Sequence, residues 1–132
     1  MLFFHSYKQA HETLNLPGSW QQGTIGSPLT GVSSIKLTAN PTSFDRISQD
    51  LRTIYYVGKG KKASPGEPKQ TQKKEDQDLF LTSLKTKTPV TVLVKLKEGL
   101  VLYLGLYQVV AVRKVPGFKE IEYYQIQLLA VN

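Results

Sequence analysis

The sequence has no cysteine, one methionine, one tryptophan and two histidines among its 132 residues. The absence of cysteine excludes disulfides and thiolate metal sites, and it suits a reducing compartment. The histidines, His5 and His11, lie six residues apart near the N-terminus with no cluster of carboxylates beside them. A metal site needs three or four converging ligands, so no metal is expected. Acidic residues are also scarce: ten Asp and Glu face 17 Lys and Arg, a net charge of +7. That balance favours polyanionic partners such as nucleic acid or an anionic surface, although charge by itself also serves solubility. Long apolar runs are missing. The longest, residues 100–112, is broken by Gly105 and Gln108 and is too short for a membrane helix. The opening MLFFHSYKQAHETL has no basic leader before its apolar residues, and the run stops at His5, so it does not read as a signal peptide. The expectation is a soluble intracellular protein of one domain with no membrane partner.

Familiar catalytic patterns are missing as well. There is no cysteine nucleophile, no Gly-x-Ser-x-Gly and no Gly-x-x-x-x-Gly-Lys. The run GKGKK, residues 58–62, resembles a phosphate loop only superficially, because the closing Lys-Ser/Thr and the following helix are lacking. Asp45, Asp50, Asp76 and Asp78 could pair, but nothing in their spacing requires it. A nuclease needs carboxylates that hold metal together with a base or lysine. The chain is expected to bind rather than catalyse, without a cofactor.

What is present is a set of short strands. Hydrophobic residues make up 40% of the chain, enough for one modest core. Residues 8–16 can form a short helix that Pro17-Gly18 would end. Residues 21–31, QQGTIGSPLTG, read as turns. Residues 32–38 and 51–57 read as strands, with a loop between them. Residues 76–85 read as a helix capped by Asp76, with Leu79, Leu84 and either Phe80 or Leu81 facing inward. TPVTVLVKLK is the clearest strand: Val90, Val92, Val94 and Leu96 share one face. Residues 100–104 and 106–113 are two strands, or one bent at Gly105. The last strand, residues 121–131, puts Tyr124, Ile126 and Leu128 on one side. Five or six strands joined by short turns favour antiparallel pairing in a half-open or closed barrel.

Residues 53–77, TIYYVGKGKKASPGEPKQTQKKEDQ, set an aromatic strand end directly against a lysine-rich loop. This stretch and three others, in order, carry a resemblance. TIYYVGKGK resembles a strand ending in Tyr-x-Gly-x-Gly-Gly. DQDLFLTSLKTKTPVTVLV resembles Asp-Gln, a helix with a late serine, then Gly-x-Pro-Val-Arg-Val. YLGLYQVV resembles Tyr-Asp-Gly-Leu-Tyr-Lys-Val, and GFKEIEYYQIQLL resembles Gly-Phe-x-Val-Trp-Arg-Phe-x-Leu. Together they span about residues 23–130 and resemble an SRA (SET- and RING-associated, or YDG) domain, a reader of modified cytosine in DNA. Two departures stand out: Leu104 replaces the Asp that helps name the family, and NPTSFDRISQD stands where the family has Gly-Gly-Tyr-Glu-Asp-Asp.

The resemblance implies a mainly β fold with short helices (α+β), a PUA-like or SRA-like twisted barrel or half-barrel of five to seven strands. It implies one domain over residues 1–132, with an N-terminal extension at 1–22 and a basic flexible loop at 58–75. It also implies a pocket for a base swung out of the duplex. Phe44 lies 12 residues before Tyr56, the family's spacing for two stacking rings. Asp45 would accept from the base, and the backbone at Val57 and Gly58 would add contacts. Lys59, Lys61, Lys62, Lys69, Lys73 and Lys74, with Arg46, would hold the phosphates. Each residue has a plainer reading: Phe44 as a core cap, Asp45 as an exposed turn residue paired with Arg46, the lysine loop as a solvated linker. The expected partner is double-stranded DNA with a modified base, with a nuclease domain or subunit as a further partner. The expected location is the bacterial cytoplasm at the nucleoid, or the nucleus if eukaryotic. The rival functions are a general nucleic-acid binder on a PUA-like barrel and a protein-interaction or counter-defence module.

Overall fold

Apolar alternation builds the strands, and the computed structural model describes them within residues 2–38, 45–57, 61–62, 69–71, 74–96, 98–116 and 122–131. In chain order they are β1 (Leu2–Phe4), α1 (Tyr7–Leu14), β2 (Thr24–Ser27), β3 (Gly31–Thr38), β4 (Arg46–Ile47), β5 (Thr53–Tyr56), β6 (Lys61–Lys62), β7 (Lys69–Thr71), α2 (Lys74–Thr86), β8 (Val90–Lys95), β9 (Val101–Pro116) and β10 (Glu122–Ala130). The mainly β class with two short helices is as the sequence predicts. The strand count is higher: an eight-stranded sheet runs β2-β3-β8-β9-β10-β5-β4, with β1 added beside β9, and β6-β7 form a separate ribbon. Pairing is antiparallel except between β3 and β8, which run parallel with Ile35 opposite Val92. The long path from β3 to β8 supplies the crossover that parallel pairing requires.

One face of the sheet holds the main core. Val32, Ile35, Leu37, Ile54, Val90, Val92, Val109, Ile126 and Leu128 are buried there, and Phe80 of α2 packs onto them. Phe80 takes the inward position and Leu81 is exposed, which decides the choice the helical spacing leaves open. A fully buried aliphatic side chain contributes roughly 1.5–3 kcal/mol, so these residues supply most of the drive to fold. The helix is tied to the sheet by one buried bond: the Val32 amide donates to Ser83 Oγ at 2.7 Å. Gly31, at φ +86°, makes this possible, because a Cβ there would collide with Ser83.

β8 is buried on both faces. A second cluster of Phe4, Ala10, Leu93 and Val101, with Tyr7, Leu14 and Leu16 packed against it, covers the side that alternation would leave to solvent. Residues 1–22 are therefore not an appended extension within the described residues: β1 pairs with β9, Phe4 opposite Val101, and α1 covers Leu93. Helix α1 starts at Ser6, whose side chain accepts from the Gln9 amide at 3.1 Å, and it ends at Asn15 in the left-handed region, before Pro17 is reached.

Three further local expectations change. The turn-like residues 21–31 contain strand β2. The loop at 58–75 holds the β6–β7 ribbon, with Lys61 opposite Thr71, and α2 begins at Lys74, so Asp76 lies inside the helix rather than at its cap. Of the two readings left open for residues 100–113, the structure has the single strand, β9, bent at Gly105, where φ is +123° and the pairing register shifts.

Candidate base-recognition site

The site grows out of the β4–β5 hairpin. Its turn is held by short polar side chains. Ser48 Oγ donates to Asp50 Oδ1 at 2.6 Å and accepts from the Thr53 amide at 3.0 Å, while Asp50 Oδ1 also accepts from the Arg52 amide at 3.0 Å. The Ser48 hydroxyl, and after it the Arg52 amide, hold the Asp50 carboxyl below its ordinary range. Leu51 takes a left-handed φ of 61°, and its carbonyl accepts from the Tyr107 hydroxyl at 2.5 Å. This turn fixes the register Arg46 opposite Tyr55 and Ile47 opposite Ile54. One step further along, Asp45 reaches the end of β5: the Val57 amide donates to Asp45 Oδ1 at 2.8 Å. Arg46 is exposed, and its Nη1 donates to the Asp45 carbonyl at 2.7 Å.

Tyr56 lies on the inner face with Ile54, opposite Ile126 of β10. It is only 4% exposed. The ring leans on Phe80 at 5.6 Å between centroids with a 51° tilt, and the hydroxyl bonds Thr24 Oγ1 at 3.1 Å. Burial pushes the Tyr56 phenol well above its ordinary pKa. The Thr24 bond opposes the shift, and Asp45 and Asp76 reinforce it. The resemblance implies Tyr56 as one of two stacking rings. In the structure the ring is buried in the core, because its position alternates with Ile54 toward the interior.

Thr24 and Tyr56 come from opposite sides of the sheet order, β2 at one edge and β5 next to the other. Their bond closes the curl of the sheet without strand pairing, with Phe80 of α2 behind it. The Asp76 charge acts on the Tyr56 phenol from the first turns of α2. Three of the expected residues, Asp45, Tyr56 and Val57, are thus brought together. Phe44, Gly58, Lys59 and Lys73 lie outside the described residues. Lys61, Lys62 and Lys69 are on the ribbon and Lys74 opens α2. Lys61 is four positions on from Val57, a span of at most about 14 Å. Thr24, Asp76 and the Phe80 backing were not anticipated as parts of the site. Only Phe80 had a signal, its helical spacing from Leu84.

Among the described residues no helix is long and apolar enough to cross a membrane. The fold and site define a mainly β, open mixed sheet whose two sides are tied by the Thr24–Tyr56 pair, with a carboxylate fixed on the amide that follows β5. The chain belongs to the SAD/SRA domain family, whose profile matches residues 3–132. No curated protein matches it significantly. Among solved structures it is similar to the SUVH5 SRA domain bound to hemi-methylated CG DNA, at 19% identity and a TM-score of 0.72, covering 97% of this chain and 85% of that one. It is similar to KRYPTONITE in complex with mCHG DNA and SAH, at 17% identity and a TM-score of 0.75, covering 99% of this chain and 32% of that one. It is also similar to the modification-dependent TagI restriction endonuclease, at 22% identity and a TM-score of 0.70, covering 96% of this chain and 47% of that one. The chain thus spans most of the first structure and less than half of the other two.

Proposed function

We propose that the chain is a DNA-reading module that recognises a modified base, a modified cytosine, by taking it out of the duplex into the closed end of the half-barrel. The observation that carries the reading is the Asp45 carboxylate, fixed on the Val57 amide, next in the chain to Tyr56, whose phenol feels its charge. The bond to Val57 sets the direction of the carboxylate, and a carboxylate accepts up to about four hydrogen bonds. That suits it to receive the exocyclic amine of a cytosine. Family membership supports the reading, as do the methylated duplexes bound by the similar SUVH5 and KRYPTONITE structures.

Extruding a base costs a few kcal/mol. Stacking on an aromatic ring offsets roughly 1–3 kcal/mol of that. Phe44 and Tyr56 supply the two rings; because Tyr56 is nearly covered, the base reaches it only by displacing its neighbours. Val57 and Gly58 offer backbone groups to the base edge. Lys59, Lys61, Lys62, Lys69, Lys73, Lys74 and Arg46 hold the surrounding phosphates without reading sequence. The module binds rather than catalyses. Cleavage, where it follows, belongs to a nuclease segment or subunit, as the likeness to a modification-dependent endonuclease suggests. Its place of action is wherever the duplex lies, the bacterial nucleoid or a eukaryotic nucleus.

The test is a binding panel on one duplex carrying cytosine, 5-methylcytosine, 5-hydroxymethylcytosine or a glucosylated base at a single position. Wild-type protein should favour a modified duplex. Phe44→Ala should lose that preference and keep the salt-sensitive background. Equal affinity across the panel, or equal competition by structured RNA, would instead mark a general nucleic-acid binder.

A further inference from the structure

The inner face of the sheet continues past the site along the β9–β10 arm. In antiparallel pairing, the step from Tyr56 to Val57 on β5 runs toward lower numbers on β10. Tyr124 therefore lies two residues beyond Ile126, the partner of Tyr56, in the direction of the Asp45–Val57 bond. At about 3.4 Å per residue that is about 7 Å along the strand. Tyr124 is half-buried, keeps the inner-face parity of Ile126 and Leu128, and packs against the main core. Directly opposite it is Lys114, as Val112 is opposite Ile126.

A bulge makes this pairing. β10 shifts register between Gln127 and Leu128, so that Gln127 faces Ala111 while Leu128 faces Val109. The inner face of β9 therefore changes from Tyr107 and Val109 to Val112 and Lys114. Without the bulge, Arg113 would face inward. Instead Arg113 is on the other face, with its Nη2 donating to Gln127 Oε1 at 2.8 Å. The exposed Lys114 ammonium stands 5.9 Å from the centroid of the Tyr124 ring. Attraction between an ammonium and a ring face biases the direction of the lysine.

We infer that Lys114, positioned by Tyr124, holds a backbone phosphate next to the extruded nucleotide. This rests on the proposed reading, which brings a duplex to the end of β5 that Tyr124 and Lys114 flank. The contact is sequence-independent, so it strengthens modified and unmodified duplexes alike.

The experiment measures affinity for the modified and unmodified duplexes from about 0.05 to 0.3 M salt for wild type, Lys114→Gln, Lys114→Arg and Arg113→Gln. One lost phosphate contact lowers the slope of log affinity against log salt by about 0.9. That is about eightfold in affinity at 0.1 M, taking the contact as silent at 1 M. Lys114→Gln should show this loss on both duplexes, while Lys114→Arg and Arg113→Gln keep the wild-type slope. An unchanged slope in Lys114→Gln overturns the inference, and so does an equal loss in Arg113→Gln, which would mark a diffuse field rather than a contact. Failure of the base-reading proposal shows separately, as wild-type protein that binds both duplexes equally.

Discussion

Replacing Tyr56 separates its structural role from its role in binding. Tyr56→Phe keeps the ring on Phe80 and removes only the bond to Thr24 Oγ1. A single hydrogen bond contributes about 0.5–1.5 kcal/mol net. Tyr56→Ala removes a buried aromatic from the main core, and such changes cost about 3–5 kcal/mol. A small domain has about 5–15 kcal/mol in total, so the alanine variant approaches unfolding while the phenylalanine variant does not. With a urea m-value of about 2 kcal/mol/M, the midpoint should fall by about 0.25–0.75 M for Tyr56→Phe and about 1.5–2.5 M for Tyr56→Ala. Thr24→Val should cost about as much as Tyr56→Phe, and the double variant little more, because both remove one bond. Binding preference should survive Tyr56→Phe at saturating modified duplex. A Tyr56→Ala variant as stable as wild type would refute the placement of this ring in the core. A loss of preference in Tyr56→Ala, taken alone, reports unfolding as much as recognition.

Further outcomes are expected at four residues. Asp45→Asn keeps an oxygen that can accept from the Val57 amide, so it should leave the urea midpoint near wild type while reducing preference for the modified duplex; Asp45→Ala should lower both. Ser83→Ala strands the buried Val32 amide and should cost about 1–3 kcal/mol in urea unfolding. Gly31→Ala should cost more, because it adds left-handed strain and a collision with Ser83. His11 is buried with neither ring nitrogen partnered among the described residues, and burial first, then Lys36, holds its pKa below the ordinary 6.5. The folded state therefore binds fewer protons than the unfolded one as pH falls through about 6.5, so stability should drop below that pH and be full above it. His11→Leu should flatten the difference between urea midpoints at about pH 7.5 and about pH 5.5.

Strong local periodicity made much of the fold readable. The alternation in residues 90–95 and 124–128 marks strands and their faces, and the spacing of Leu79 and Leu84 marks the inner face of α2, leaving only Phe80 or Leu81 open. Residues 2–4 and 24–27 gave no such signal: three or four residues are too few to show a period, and they are strands only because β9 and β3 offer them edges. The parallel β3–β8 pair and the β9–β10 bulge arise from long-range pairing, which no short window of sequence records. The site divides in the same way. Asp45, Tyr56 and Val57 were legible as a group, yet the bond that orients Asp45 crosses 12 residues, and the hydroxyl that anchors Tyr56 comes from 32 residues away. The alternation of Tyr56 with Ile54 already pointed its ring inward, and that signal outweighs its position at a strand end.

On the proposed reading a base leaves the duplex and enters the protein. A fluorescent 2-aminopurine placed beside a modified cytosine reports local unstacking. At saturating protein its emission should rise on the modified duplex and stay at the free-duplex level on the matched unmodified one. Full binding of the modified duplex with no rise in emission would contradict it.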